Sequence, residues 1–101
     1  MRKMRLIRMP CYYCGGKATT KDHRFPIARG GDNDAFNMVP ACGECNHLKD
    51  TMTQGEFLEF CRNILIQRSP KQDQYRGRAR AILLRLAPDM IPKEDRQIIE
   101  R

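Results

Sequence analysis

A chain of 101 residues with 19 Lys and Arg against 12 Asp and Glu, a formal net charge of +7 and 41% apolar residues has room for one small basic domain. No apolar run approaches the roughly 18 residues of a membrane span, and no long apolar stretch follows the basic start Met1–Arg8, so it reads as neither a membrane protein nor a secreted one. The length excludes a multidomain enzyme or a large dinucleotide-binding fold, and leaves a soluble domain that favours polyanions.

In chain order, residues 1–9 read as a basic arm. Thr19–Phe25 reads as a short strand that stops before Pro26, and Arg29-Gly30-Gly31-Asp32-Asn33-Asp34 as a loop, because Gly, Asp and Asn tolerate positive φ. Asn37–Pro40 reads as a short return strand, and a helix starts near Gly43 and runs to about Asp50. Thr53-Gln54-Gly55-Glu56 fits a capping box, with Thr53 as N-cap and Glu56 reaching back. Phe57, Phe60, Cys61, Ile64 and Leu65 then fall on one helical face, and Ser69-Pro70 ends that helix. Tyr75, Ala79, Ile82, Leu83 and Leu86 form a second apolar stripe, edged by Arg76 and Arg80 on one side and Arg78 and Arg85 on the other. Pro88 stops it, and Pro92 opens a short last helix anchored by Ile98 and Ile99. The expected organisation is an arm (1–9), a Cys- and Gly-rich motif (10–52) and a helical extension packed on it (53–101).

The charge is patterned. Residues 1–31 hold eight Lys/Arg against Asp22 alone, residues 32–61 hold Lys49 against six acids, and residues 62–86 hold seven Lys/Arg against Asp73. Two basic blocks around an acidic one point to a nucleic-acid face beside a site that uses carboxylates. The Arg fringe of residues 76–85 is either a solvated face or a grip on a phosphate backbone.

A core this small is marginal without a staple, and five cysteines offer one. Cys11 and Cys14 form one C-x2-C pair and Cys42 and Cys45 another, with 27 residues between them. Four thiolates in two close pairs suit a tetrahedral Zn²⁺, each sulfur about 2.3 Å from the ion. A disulfide framework is disfavoured by the odd count and the missing secretory signal. Cys61, on the apolar stripe, is a buried and inert thiol. Tyr12 and Tyr13 either stack on a base or cover the first knuckle, and the covering role is the favoured reading.

Between the pairs lie Asp22-His23, Pro26, Gly30-Gly31 and Asn37, and Asn46, His47 and Lys49 follow the last cysteine. This string, C-x2-C…D-H…P…G-G…N…C-x2-C-N-x2-K, resembles the HNH endonucleases, the ββα-metal or His-Me finger nucleases, in their zinc-stapled form; it covers about residues 10–50. The resemblance implies a small α+β fold, a treble-clef-like ββα-metal motif followed by two or three C-terminal helices. It makes Asp22 and Asn46 the ligands of a catalytic divalent ion, Mg²⁺ or Mn²⁺, through hard oxygens. It makes His23 the general base, since a neutral imidazole can take a proton from water near neutral pH. Asn37, the middle residue of the family name, would hold His23 in line by bonding across the loop. Asn46 stands where some members have His; His47, about 100° further round the helix, is open to phosphate or to the metal in an alternative register. Lys49 reads as a phosphate contact by resemblance or as a solvated charge. Arg24, Arg29, Arg76 and Arg80 complete the expected nucleic-acid face. The implied protein is a metal-dependent hydrolase of DNA, double-stranded, acting in the cytoplasm of a bacterial or phage-infected cell as a monomer or weak homodimer. The rival is a zinc module that binds nucleic acid without cutting it.

Overall fold

A computed structural model describes residues 9–67 and 69–95. The chain enters through a knuckle in which Pro10 bridges Lys17 and the Gly15 N–H returns to the Cys11 carbonyl. Strand β1 (Thr20–His23) and strand β2 (Met38–Ala41) form a two-stranded antiparallel sheet, with Asp22 opposite Val39 and His23 opposite Met38. The expected strand ran on to Phe25. It stops at His23 because Asn37 takes over the pairing: its carbonyl accepts from the Arg24 N–H and its side-chain Oδ1 from the Phe25 N–H, which turns the chain into Pro26.

The loop between the strands is built on two glycines with different tasks. Gly30 has φ +96 and ends the short turn Ile27–Arg29, a conformation open to glycine. At Gly31 the need is space, since a Cβ would collide with the Phe25 carbonyl. Asp34 caps the next turn, Ala35–Asn37, by accepting from the Phe36 N–H at 2.9 Å.

Helix α1 (Gly43–Lys49) follows β2 directly, with Cys42 as N-cap. Helix α2 (Gln54–Gln67) starts at the capping box: the Thr53 N–H reaches Glu56 Oε1 at 2.9 Å, and the Glu56 N–H reaches Thr53 Oγ1 at 3.2 Å. Helix α3 (Arg76–Leu86) packs against α2. The α2 stripe buries Phe57, Cys61, Ile64 and Leu65, with Phe60 at its margin; α3 buries Ala79, Ile82 and Leu83. These residues share one core with Cys11, Tyr13, Val39, Ala41 and Cys45. Tyr13 meets Phe57 edge-on, ring centroids 5.3 Å apart, so the first knuckle and α2 bury one another. Truncating Phe57 to Ala would cost about 3–5 kcal/mol at such a site. The anchors Ile98 and Ile99 lie outside the described residues, as does nearly all of the basic arm.

Glu56 also ties α2 to the loop. Arg29 donates to both its oxygens, at 2.7 and 2.9 Å. That pair, with the Thr53 N–H, holds the Glu56 carboxyl down at about 2. A carboxyl lowered on folding stabilises the fold fully above its ordinary range and loses that contribution as pH falls toward the lowered value. Wild type and Glu56→Gln should therefore differ in melting temperature at pH 7 and converge by about pH 2. A gap that stays constant across a pH series of thermal melts would show that the clamp contributes nothing.

Candidate active site and metal centre

The two cysteine pairs meet. The ligand atoms of Cys11, Cys14, Cys42 and Cys45 all lie within 4.8 Å of one another, with Cys11 and Cys45 buried and Cys14 and Cys42 half-buried. Backbone N–H groups already point at them: Cys14 N–H at Cys11 Sγ, Gly16 N–H at Cys14 Sγ and Cys45 N–H at Cys42 Sγ. Four sulfurs this close favour ionisation unequally. The hydrogen bond from Cys45 pulls the Cys11 thiol down to about 4, and the same contact, with burial, drives Cys45 up. One soft divalent cation removes that conflict, and tetrahedral thiolate coordination is the chemistry of structural Zn²⁺. Cys61 stands apart in the core, pushed up to about 12 by burial alone, which is the inert thiol expected.

Strand alternation separates the two residues of the Asp-His pair. Asp22 faces inward and is 8% exposed; His23 faces the other way and is half-buried. Asp22 Oδ2 accepts from the Tyr13 hydroxyl at 2.5 Å and faces Lys49 Nζ at 3.1 Å. Burial, then the Asp22 carboxylate, push the Tyr13 hydroxyl far above the ordinary tyrosine range, so it stays a donor. Both contacts fall on Oδ2 and leave Oδ1 as the other oxygen of the carboxylate. Asn46 sits half-buried on α1, three residues before Lys49 on the same flank of that helix. Among the described residues its side chain enters no hydrogen bond. One carboxylate oxygen and one amide oxygen are hard donors of the kind that hold Mg²⁺ or Mn²⁺ while waters fill the remaining positions.

Asn37 holds the loop, as expected: its Nδ2 donates to the Phe25 and Asp32 carbonyls at 2.9 and 2.7 Å. The imidazole is held by a different residue. His23 Nε2 lies 2.8 Å from Asn33 Oδ1, at the centre of the loop that Asn37 braces. Nothing in the sequence distinguishes Asn33 from an ordinary turn residue, and Tyr13 likewise looked like a cover for the knuckle. The contact from Asn33 exists only because Asn37 and the two glycines fold the loop back along β1.

The expected basic face is redistributed. Lys49 is 0% exposed, its ammonium engaged by Asp22 and, at 2.8 Å, by the His23 carbonyl. No atom of it is open to a phosphate: it joins α1 to β1. Arg24 reaches back to the Phe36 carbonyl, and Arg29 pairs with Glu56. Arg76 donates to the Ile64 and Leu65 carbonyls and to Asp95, and Arg80 to the same Asp95 oxygen; Arg76 thereby locks α3 to α2, and both hold Asp95 against α3. His47 stays exposed on α1. Lys21 is exposed too, and two residues before His23 it shares that residue's strand face. Period-two alternation is the sequence signal that singles it out. Phe36 is 83% exposed at the tip of the same loop.

The Lys49 geometry separates two outcomes. Losing one partner of a buried ion pair costs about 3–5 kcal/mol, so Lys49→Ala should lower the melting temperature by roughly 15 °C or more. A lost phosphate contact would instead leave melting unchanged and flatten the salt dependence of DNA binding by about one unit of slope. Thermal melts beside a salt titration of DNA affinity decide between them.

No helix among the described residues is long and apolar enough to cross a membrane. No curated protein sequence matches the chain. The family description HNH endonuclease matches residues 11–60, from the first cysteine into α2. That span takes in the four-cysteine cluster, the Asp22-His23 strand, the loop braced by Asn37 and the helix carrying Asn46, and over it the chain carries the HNH endonuclease pattern.

Proposed function

We propose that the protein is a metal-dependent endonuclease that hydrolyses phosphodiester bonds of DNA with His23 as general base. The observation that carries this reading is the imidazole at the edge of β1 with Nε2 held by Asn33 Oδ1 at 2.8 Å. With the amide oxygen facing the ring, Nε2 bears the hydrogen and Nδ1 bears the lone pair. Nδ1 takes a proton from a water molecule, whose oxygen attacks phosphorus. The bond from phosphorus to the 3′-oxygen breaks, and that oxygen takes up a proton, giving a 5′-phosphate and a 3′-hydroxyl. Asp22 Oδ1 and the Asn46 side-chain oxygen would hold the catalytic divalent ion, which supplies counter-charge for the phosphate and the departing oxygen. Tyr13 and Lys49 keep the Asp22 carboxylate oriented from behind. Cys11, Cys14, Cys42 and Cys45 hold a structural Zn²⁺ that is separate from this ion, because four sulfurs saturate it. Lys21 and His47 are the exposed groups of the described residues best placed to meet the phosphate backbone, with Arg2, Lys3, Arg5 and Arg8 of the arm adding charge. Thiolate zinc ligands suit a reducing cytoplasm. One chain carries one His23, so it nicks one strand per encounter, and a double-strand cut calls for two copies.

The rival reading is a zinc module that binds nucleic acid without cutting it. The specific observation in its favour is the burial of Asp22 on Lys49, an arrangement that a purely structural ion pair also explains.

Plasmid nicking in Mg²⁺, Mn²⁺ or EDTA separates the two. Wild type should nick with a divalent ion and stop in EDTA. His23→Ala should keep its fold, zinc content and DNA affinity while cutting about 10²- to 10⁴-fold more slowly, the usual contribution of a general base. Asn33→Ala should cut about ten- to a hundredfold more slowly through lost orientation, and the ¹⁵N shifts of the His23 ring should report mixed tautomers in place of one. Cutting by His23→Ala at the wild-type rate would overturn the mechanism. A wild type that binds DNA yet cuts with neither metal supports the rival.

A further inference from the structure

Helix α3 lies outside residues 11–60, yet it reaches the metal centre. Arg78 Nη1 stands 3.2 Å from Cys42 Sγ, 3.3 Å from Cys45 Sγ and 3.5 Å from Cys14 Sγ, and Nη2 donates to Glu44 Oε2 at 2.7 Å. Two turns further along the helix, Arg85 donates from Nε to the Tyr12 carbonyl at 3.4 Å. Its side chain crosses Gly15 so closely that a Cβ there would lie 3.1 Å from Arg85 Cδ. The edge of α3 that carries these two arginines thus lies along both knuckles, with a guanidinium aimed at three of the four sulfurs.

We propose that α3 is the closing wall of the zinc centre and that Arg78 is its latch, a positioning residue that lowers the rate of metal loss and makes docking of the C-terminal helices depend on the metal. Four thiolates around one divalent cation leave a net charge of −2, which draws a cationic donor. A planar guanidinium can place one N–H group over several sulfurs while its second arm is fixed by a carboxylate, here Glu44; an ammonium lacks that fork. N–H donors on thiolates oppose protonation of the sulfur and so oppose release of the ion, and outer-shell partners of this kind carry about 10- to 100-fold in metal affinity. The sequence places Arg78 on the fringe of an apolar stripe, where it reads as solvated or as a grip on phosphate. The geometry turns it inward.

The inference rests on the four cysteines holding zinc, and the experiment keeps the two apart. Metal analysis of the purified full chain comes first: a folded wild type without stoichiometric zinc overturns the zinc reading and this inference with it. Zinc transfer to a coloured chelator is then timed for wild type, Arg78→Met, Arg78→Lys and Arg85→Met. Arg78→Met should lose zinc about 10- to 100-fold faster, Arg78→Lys should recover only part of the difference, and Arg85→Met, which touches no sulfur, should stay within a few-fold of wild type. Zinc loss from Arg78→Met at the wild-type rate overturns the latch. So does an Arg85→Met variant as fast as Arg78→Met, which would assign the effect to general loosening of α3. Should Arg78→Met fail to fold, amide hydrogen exchange of the wild type gives the answer: on chelation, protection of residues 76–86 should fall together with that of the knuckles. Protection that persists in α3 after zinc removal overturns the coupling.

Discussion

The convergence of four sulfur atoms within 4.8 Å of one another is the constraint on which the rest of the structure depends. Cys11 and Cys14 hold the entry of the chain, and Cys42 and Cys45 hold the junction of β2 with α1. Everything between them, the strand pair and the long loop, is thereby closed at its base. Closing a loop of this length removes much of the freedom that the unfolded chain would otherwise have. The sheet it encloses has two four-residue strands, and a lone strand pair is marginal in water. A metal ion held by the four sulfurs would do what a larger core does elsewhere, since binding at such a site is folding energy.

A second consequence concerns charge. A basic chain invites the view that its arginines face a polyanion, but many of those in the second half of this one face inward. Arg76 and Arg80 converge on buried Asp95 and Arg78 on three sulfurs and Glu44, while Arg85 stays exposed and donates to the Tyr12 carbonyl. Arginine suits these places because its fork serves two acceptors at once. Of the acids that balance them, Glu44 comes from the acidic block and Asp95 from beyond the second basic block. The net charge of +7 remains, but its exposed share among the described residues rests more on lysines such as Lys17 and Lys21.

Much of the fold was legible in the sequence because its signals are local. The Cys spacing, the capping box at Thr53 and Glu56, and the two apolar stripes each depend on residues a few positions apart, and each is found where the pattern places it. The strand end was misjudged by two residues because Asn37, twelve positions away, decides it. The partners of the candidate site were less legible for the same reason. That Asp22 and His23 face opposite ways follows from alternation. That Asp22 meets Tyr13 and Lys49, or that His23 meets Asn33, follows only from how the knuckle, α1 and the loop stack around β1. Lys49 shows the cost of reading charge without topology: three residues after Asn46 on a short helix, it lies on the flank that packs on the sheet.

The division between Asp22 and His23 is also an argument about chemistry. A residue proposed to orient an ion would have to be held still, and Asp22 is fixed from behind by a hydroxyl and an ammonium in a buried position. A residue that moves a proton must reach solvent and substrate, and His23 stands half-buried with one nitrogen anchored and the other free of that contact. A regular strand supplies both environments from adjacent positions, because its side chains alternate between core and surface. Lys49 ties the two together, donating to the His23 carbonyl while facing the Asp22 carboxylate. A single buried ammonium thus fixes the backbone of one residue and the side chain of the other, so that a shift of α1 would move both candidate groups as a unit. The second cysteine pair anchors the start of α1, and the relative placement of acid and imidazole is in this way set by the four-cysteine cluster at the base of the loop.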